Sequence, residues 1–377
     1  MLLKTRGKPV NIHEPIVGRV TRFEASGGHE ILIAEDYLPL EELSKFKAVL
    51  TNLDLAGFKV NLPHVYGVTT FDHLLENDIV SIQSDGIIHA IYRVNSHQNF
   101  ILATERCNSN CLMCSQPPKD KNDINNLYNI HKQMIPLIPK DCFEIGITGG
   151  EPTLMGNLFF DMLNQIKTEL PDTEIHCLTN GRSFAWKNVA DRLGELQLNR
   201  LMLGIPLYSD FYQIHDYVVQ AKDAFNQTIQ GLYNLAANNQ RIEIRVVLQK
   251  QSIGRLVQLA KYIYRNLPFV EHVTFMGLEY QGYTPFNIDK LWIDPVDYMD
   301  ELGEACEYLS DRNMNVSIYN SQLCLVPEYL WKYCRKSISD WKNVYLSECV
   351  KCVVREQCGG LFSSSQKMHS SYIRAIQ

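Results

Sequence analysis

The sequence predicts an α/β protein built on a parallel sheet, flanked by a small, mostly-β amino-terminal module and a cysteine-rich carboxy-terminal region. Three observations predict it. Between about residues 96 and 316, short apolar runs alternate with longer amphipathic ones; before residue 95, short β-like runs are broken by turn residues; and from 317 to 377, cysteines crowd together.

The amino-terminal module is read from runs such as DIVSIQSDGIIHAIYRV (residues 78–94), where Asp85 and Gly86 separate two apolar-alternating stretches as a hairpin turn does. Residues 37–53 (YLPLEELSKFKAVLTNL) carry apolar side chains at helical spacing and are expected to add a helix to it. The central region has six strand candidates: NFILAT (99–104), FEIGIT (143–148), EIHCLT (174–179), LMLGIPL (201–207), IEIRVVL (242–248) and HVTFMGL (272–278). Helical patterns separate them, as at residues 158–170, 221–239 and 255–267. Strands alternating with helices give parallel pairing, and six units in a row imply an open doubly wound sheet or a complete or partial barrel.

Composition narrows the function classes. With 377 residues and 45% hydrophobic content, the chain can bury a large core. No run approaches the ~18 apolar residues of a membrane span, and the first residues lack the apolar stretch of a secretory signal, so a cytoplasmic location is expected. A net charge of -6 with scattered Lys and Arg offers no basic stripe for nucleic acid. Eleven cysteines is an odd number and a high one for a reducing compartment, which points to metal ligation or redox chemistry.

Both candidate architectures bind ligands in the loops that follow the strands. After the first strand comes ERCNSNCLMCSQ, with Cys107, Cys111 and Cys114 spaced C-x3-C-x2-C. Structural zinc needs four ligands, whereas an iron-sulfur cube held by three thiolates leaves one iron free for another ligand. After the second strand comes Gly149, Gly150, Glu151 and Pro152; after the third, LTNG with Asn180; after the fourth, Ser209.

The thiol triplet on the first strand and the Gly-Gly-Glu-Pro turn on the second resemble the radical SAM superfamily. That resemblance implies a partial (β/α)6 TIM-like barrel and a [4Fe-4S] cluster on Cys107, Cys111 and Cys114. Its open iron would chelate S-adenosylmethionine, whose amino group is contacted by the turn of Gly149, Gly150, Glu151 and Pro152. It further implies one-electron cleavage to a 5'-deoxyadenosyl radical that abstracts hydrogen. The chain departs from the common pattern at Met113, where many members carry an aromatic residue near the adenine; apolar contact survives that change and ring stacking does not. Asn180, in LTNG, resembles a turn of peptide-modifying and molybdopterin-type members, although Asn-Gly is also an ordinary tight-turn pair. Ser209 falls where the superfamily often places a polar ribose or carboxylate contact.

The carboxy-terminal region holds Cys324, Cys334, Cys349, Cys352 and Cys358, the last three spaced C-x2-C-x5-C and followed by two glycines. Four thiolates suit an auxiliary [4Fe-4S] cluster or zinc, with Cys324 or Cys334 as the fourth ligand. The words LMCSQPP, LCLVPEYLWKY, SISDWKN and ECVKCVVREQCGGLF, over roughly residues 99–365, resemble the His-Xaa-Ser system maturase family HxsC. On that resemblance, together with the chain reversal expected at Leu325, Val326 and Pro327, Cys324 is chosen over Cys334, and the region is expected to be SPASM/twitch-like. The same resemblance implies a ribosomally made precursor peptide with His-Xaa-Ser repeats as substrate, a second radical SAM maturase as partner, and a low-potential electron donor of flavodoxin or ferredoxin type. A small-molecule substrate, as in molybdopterin synthesis, and a non-catalytic electron carrier are the alternatives; the Gly-Gly-Glu-Pro turn has no use in the latter. A leader-docking role is expected for the amino-terminal module. Cys142, Cys177 and Cys306 read as small buried apolar residues. His176, His215 and Glu279 read as lumen-lining structural groups, and Tyr208, Tyr212 and Tyr280 as packing.

Overall fold

The computed structural model describes residues 3–23, 28–35, 43–54 and 61–377. The chain divides into two compact units, one of residues 1–103, 122–147 and 155–174, the other of residues 104–121, 148–154 and 175–377.

The first unit is dominated by strands β1 (Lys4–Arg6), β2 (Lys8–Val10), β3 (Ile16–Thr21), β4 (Glu30–Ala34), β5 (Ala48–Thr51), β6 (His64–Tyr66), β7 (Ile79–Ile82) and β8 (Ile87–Tyr92). They form one mixed sheet in the order β1-β8-β7-β3-β4-β5-β6-β2. Pairing from β3 through β6 is parallel, and the flanking pairs are antiparallel. All five residues of β4 are buried, because both faces of the sheet are covered there. Ile31 and Ile33 join one apolar cluster with Leu50, Val65 and Ile82, while Leu32 and Ala34 join another with Leu43, Phe46 and Val49. A continuous apolar strand is what two-sided burial demands. Asp85 and Gly86 make the β7–β8 turn, with Gly86 at φ +82 and the Asp85 carboxylate accepting from the Ile87 N–H at 3.1 Å.

The helix expected over residues 37–53 is not what the chain forms. Residues 37–42 lie outside the described ones; the remainder is a single 3-10 turn, Leu43–Lys45, followed by β5. Its β-branched run inserts between β4 and β6, where backbone pairing and burial of Val49 and Leu50 on opposite faces override the helical spacing.

Strand β9 (Asn99–Leu102), helix α1 (Ile124–Met134), all but the last residue of β10 (Glu144–Thr148) and helix α2 (Asn157–Glu169) belong to the same unit. The Arg19 guanidinium donates to the Leu137 carbonyl at 3.0 Å, and the Lys47 ammonium donates to Val17 O and Gln133 Oε1. The first helical units therefore pack with the amino-terminal strands in one compact unit.

The second unit carries the rest of the βα series: β11 (Glu174–Leu178), α3 (Lys187–Glu195), β12 (Leu201–Pro206), α4 (Tyr212–Val219), α5 (Ala224–Ala237), β13 (Arg241–Val247), α6 (Lys250–Ile253), α7 (Leu256–Asn266), β14 (His272–Met276), α8 (Ile288–Leu291), α9 (Met299–Ser310), β15 (Asn315–Tyr319) and β16 (Cys334–Arg335). The strands β11 to β16 pair in sequence order, all parallel. Strand β15 straddles the boundary expected at residue 316, and a short antiparallel pair, β17 (Asn343–Val344) with β18 (Leu361–Phe362), follows. Parallel pairing brings the carboxyl ends of these strands to one edge, so the loops after β11, β12, β13, β14 and β15 converge there.

Alternate residues sort to two faces. Ile242, Ile244 and Val246 are fully buried on one. On the other, Glu243 receives the Arg245 guanidinium at 2.6 Å and bonds His272 Nδ1 at 2.9 Å, while His272 Nε2 bonds Ser317 Oγ at 2.9 Å. His176 stands 3.7 Å from Glu243, with its Nε2 buried and unbonded. Burial pushes the Glu243 carboxyl up, but the His272 bond and the Arg245 and imidazole charges outweigh it and hold the group at about 2.

Candidate functional site

The thiol loop is built by pinning its two ends and clasping its middle. Lys119 N–H donates to the Glu105 carbonyl at 2.8 Å, and the Glu105 carboxylate takes ion pairs from both Lys119 and Lys121. The words that flank the cysteines in sequence are thus partners in space. Asn110 and Leu112 N–H groups donate to the carbonyls of Val219 and Val218 at the end of α4. On the other side, Tyr283 N–H donates to Cys114 O at 2.9 Å and the Asn287 amide donates to Leu112 O at 2.9 Å. Gly282, at φ +64, lies against Cys114 and Ser115 so closely that a Cβ would strike their backbone.

The Gly-Gly-Glu-Pro turn continues the parallel ladder onto this loop. Gly150 N–H donates to Thr104 O at 2.7 Å and Glu151 N–H to Arg106 O at 2.7 Å. Gly150 is required because a Cβ there would run into the Arg106 carbonyl. Glu151 is fully buried, and its carboxylate accepts four hydrogen bonds: from Thr153 N and Oγ1, from Thr179 Oγ1 and from Asn180 N. Burial pushes its carboxyl up, and those donors pull the other way. The side chain is wholly engaged inside the protein, so any ligand contact from this turn falls to the backbone of the half-buried Gly149 and Gly150. Pro152 is buried and starts a 3-10 turn.

Asn180 links the third motif to the thiols. Its amide nitrogen bonds Asn108 Oδ1 at 2.5 Å and approaches Cys107 Sγ at 3.9 Å, and its Oδ1 accepts from Arg182 N–H. Arg182 reaches the same loop, donating to the Asn108 carbonyl and to Ser109 Oγ at 3.0 Å, with its Nε held by Gln227. Ser109 N–H in turn points at Cys107 Sγ at 3.4 Å. Cys107, Cys111 and Cys114 are close enough for their charges to interact, and burial pushes Cys107 up to about 11 and Cys111 and Cys114 up as well.

Met113 is buried with Leu112, Tyr208, Val218 and Leu291, an apolar wall behind the loop. Tyr208 stacks on His215 at 5.8 Å between ring centroids, and its N–H donates to His215 Nδ1. Ser209 is fully buried; its hydroxyl accepts from Phe211 N–H and leans on Asp210, engaged within its own turn.

The second thiol group gathers elsewhere in the same unit. Cys324, Cys349, Cys352 and Cys358 line one cavity together with Gln322, Tyr345, Leu361 and Ile373. Cys334 does not line it: it lies on β16 with its thiol toward the Leu330 carbonyl, near enough to Cys358 and Cys306 to feel their charge. The SISDWKN word joins strand ends to this region. Ser337 exchanges hydrogen bonds with Asn320 after β15, Lys342 pairs with Glu279 after β14, and Asn343 donates to the Gly359 carbonyl beside Cys358. Among the described residues, no set of three or more His, Cys, Asp or Glu side chains closes around a single ion position, and no helix is long and apolar enough to cross a membrane.

Sequence reasoning missed Arg182, although it directly follows the Asn180–Gly181 pair. It also missed Tyr283 and Asn287, for which no local signal exists. Cys177 is buried in β11 and Cys306 in α9, whereas Cys142 is half-buried in the turn before β10, its thiol donating to the Glu144 carbonyl at 3.4 Å.

Comparison with known proteins follows this geometry. Residues 101–263 match the sequence model of the Radical SAM superfamily, a stretch that takes in the first thiol loop and both motif turns. An uncharacterized protein of Methanocaldococcus jannaschii is 25% identical over 192 residues, covering 48% of this chain and 59% of that protein. Among solved structures, SuiB of Streptococcus suis bound to S-adenosylmethionine aligns at 16% identity over 59% of this chain and 50% of its own, with a TM-score of 0.46. The enzyme anSMEcpe, with bound AdoMet and the Cp18Cys peptide, aligns at 18% identity over 58% of this chain and 62% of its own, TM-score 0.44. The chain thus spans less than two thirds of the length of these relatives.

Proposed function

We propose that this radical SAM enzyme cleaves S-adenosylmethionine reductively and modifies a ribosomally made precursor peptide of the His-Xaa-Ser repeat type by hydrogen abstraction, as an HxsC-like maturase. The observation that carries the reading is the joining of three separate sequence motifs on one loop: the turns of Gly150–Glu151 and Asn180–Arg182 both hydrogen-bond the segment that presents Cys107, Cys111 and Cys114. Three half-buried thiols, the only cysteines on this loop, fit a cluster with one open iron.

Cys107, Cys111 and Cys114 would hold that cluster. When bound, the cluster and S-adenosylmethionine supply the electron and the 5'-deoxyadenosyl radical, chemistry no side chain here provides. The chain's own part is to hold and exclude. The Gly149 and Gly150 carbonyls would accept from the S-adenosylmethionine amino group; Glu151, itself bonded to Thr179 and Asn180, ties the two motif turns together. Met113 and Tyr208 belong to one buried apolar cluster behind the loop, on which the adenosine side would rest. Cys324, Cys349, Cys352 and Cys358 would hold an auxiliary [4Fe-4S] cluster, and a flavodoxin- or ferredoxin-type donor would supply the electron. The peptide reading rests on the LMCSQPP and SISDWKN words and on the way the latter ties the strand ends to the second thiol group.

Anaerobic reconstitution with dithionite and S-adenosylmethionine tests the enzyme: 5'-deoxyadenosine is expected from the wild type and none after Cys107→Ala. Co-expression with a His-Xaa-Ser precursor, read by mass spectrometry, tests the substrate; an unmodified peptide beside an enzyme that cleaves S-adenosylmethionine would remove the peptide assignment and leave the chemistry standing.

A further inference from the structure

The second thiol group is closed by a piece of chain that no cysteine motif contains. Its near end is anchored at Ser370, which is buried and donates to Asp294 Oδ1 at 2.8 Å while accepting from Tyr372 N–H at 3.2 Å. Ile373 then turns inward and packs with Leu325 and Leu361, against which Cys324 and Cys349 also lie. Beyond it, the Ile376 backbone N–H donates to Cys352 Sγ at 3.5 Å. Val353 N–H returns a bond to the Ile376 carbonyl at 3.0 Å, so this segment and the turn between Cys352 and Cys358 hold each other. Ile373 and Arg374 line the same cavity as the four thiols.

We propose that residues 373–376 form a strap that seals the four-thiol site, with Ile373 packed over the thiols and the Ile376 N–H donating to Cys352 Sγ. The inference rests on the reading of Cys324, Cys349, Cys352 and Cys358 as one metal site, and it holds for iron-sulfur or zinc alike. Hydrogen bonds to ligand sulfur favour the more negative state. In an iron-sulfur site they raise the reduction potential; in a zinc site they slow protonation and loss of the metal. The apolar Ile373 supplies the remaining requirement, exclusion of water from the sulfurs.

The experiment compares the full chain with two variants, one ending after Ser371 and the other Ile376→Pro, which removes a single N–H donor. Tyr372→Ala, at a residue 61% exposed, is the control. Iron and zinc are counted per chain after anaerobic reconstitution, then release to a chelator is timed. The wild type should hold about eight irons, or about four irons and one zinc. Truncation should speed release of the second-site metal by roughly 10- to 100-fold and Ile376→Pro by about 10-fold. The four irons of the first site should be unmoved, and the control should behave as wild type. Second-site metal retained as long as in the wild type by both variants overturns the strap. A wild type holding only the first site's four irons and no zinc overturns the four-thiol reading itself, and the strap with it.

Discussion

The two thiol groups solve one problem by opposite routes. Cys107, Cys111 and Cys114 sit on a single loop and need only be held in shape, which is done by ion pairs at its ends and by two motif turns across its middle. Cys324 stands twenty-five residues before Cys349, and the second group exists only because Cys324, the C-x2-C-x5-C turn and residues 373 and 374 are brought together around one cavity. A local site can be specified by spacing; a gathered site must be specified by packing.

The largest effects should separate the two groups cleanly. Cys107→Ala should abolish 5'-deoxyadenosine formation and remove about four irons while the second site keeps its metal. Cys352→Ala should do the reverse, leaving S-adenosylmethionine cleavage and losing second-site metal. Cys324→Ala should behave like Cys352→Ala and Cys334→Ala like wild type; the opposite pattern in metal analysis would show that the chain regroups around Cys334. Arg182→Ala tests whether the first loop is held as well as spaced. It removes the donors to Asn108 O and Ser109 Oγ and should cost about 10- to 100-fold in S-adenosylmethionine cleavage with the second site untouched. Arg182→Lys should restore little, since a point charge cannot span both partners.

Smaller effects bear on the scaffold around the first site. Gly150→Ala drives a Cβ into the Arg106 carbonyl and should destabilise the protein by about 1–3 kcal/mol in chemical denaturation. The equivalent change at Gly254, where a Cβ meets nothing, should be near neutral or slightly favourable.

Acid should weaken the first region in a defined window. Burial, and then the Arg182 charge, push His215 down to about 3, so below its unfolded value of 6.5 the unfolded chain binds more protons than the folded one. Stability should fall as pH drops from 6.5 toward 3, and His215→Phe should flatten that slope in urea midpoints. Glu243, held at about 2, contributes stability that is complete above its unfolded value of 4.5 and is lost between there and 2.

Legibility followed this same division. The strands were readable because each is a short apolar run with few competing signals, and the first thiol loop because its spacing is its geometry. The helix over residues 37–53 failed because its residues 48–51 gain more from pairing inside a two-sided sheet than helical periodicity can offset. Glu151 was placed in the right turn; that four donors from two later segments take up its buried carboxylate only the fold shows. Arg182 lay one residue beyond a noted motif, and only the fold shows that it reaches back across the loop.

The sequence by itself determined the alternation of strands and helices, the three-thiol loop and the turns that follow the next two strands, because these depend on residues near one another in the chain. The tertiary structure decided that Tyr283 and Asn287 clasp the first loop, and that Cys324, already preferred on the resemblance, lines one cavity with Cys349, Cys352 and Cys358 while Cys334 does not. Those outcomes depend on contacts between distant segments, whose registers are set by the parallel sheet and its packed core rather than by any local preference.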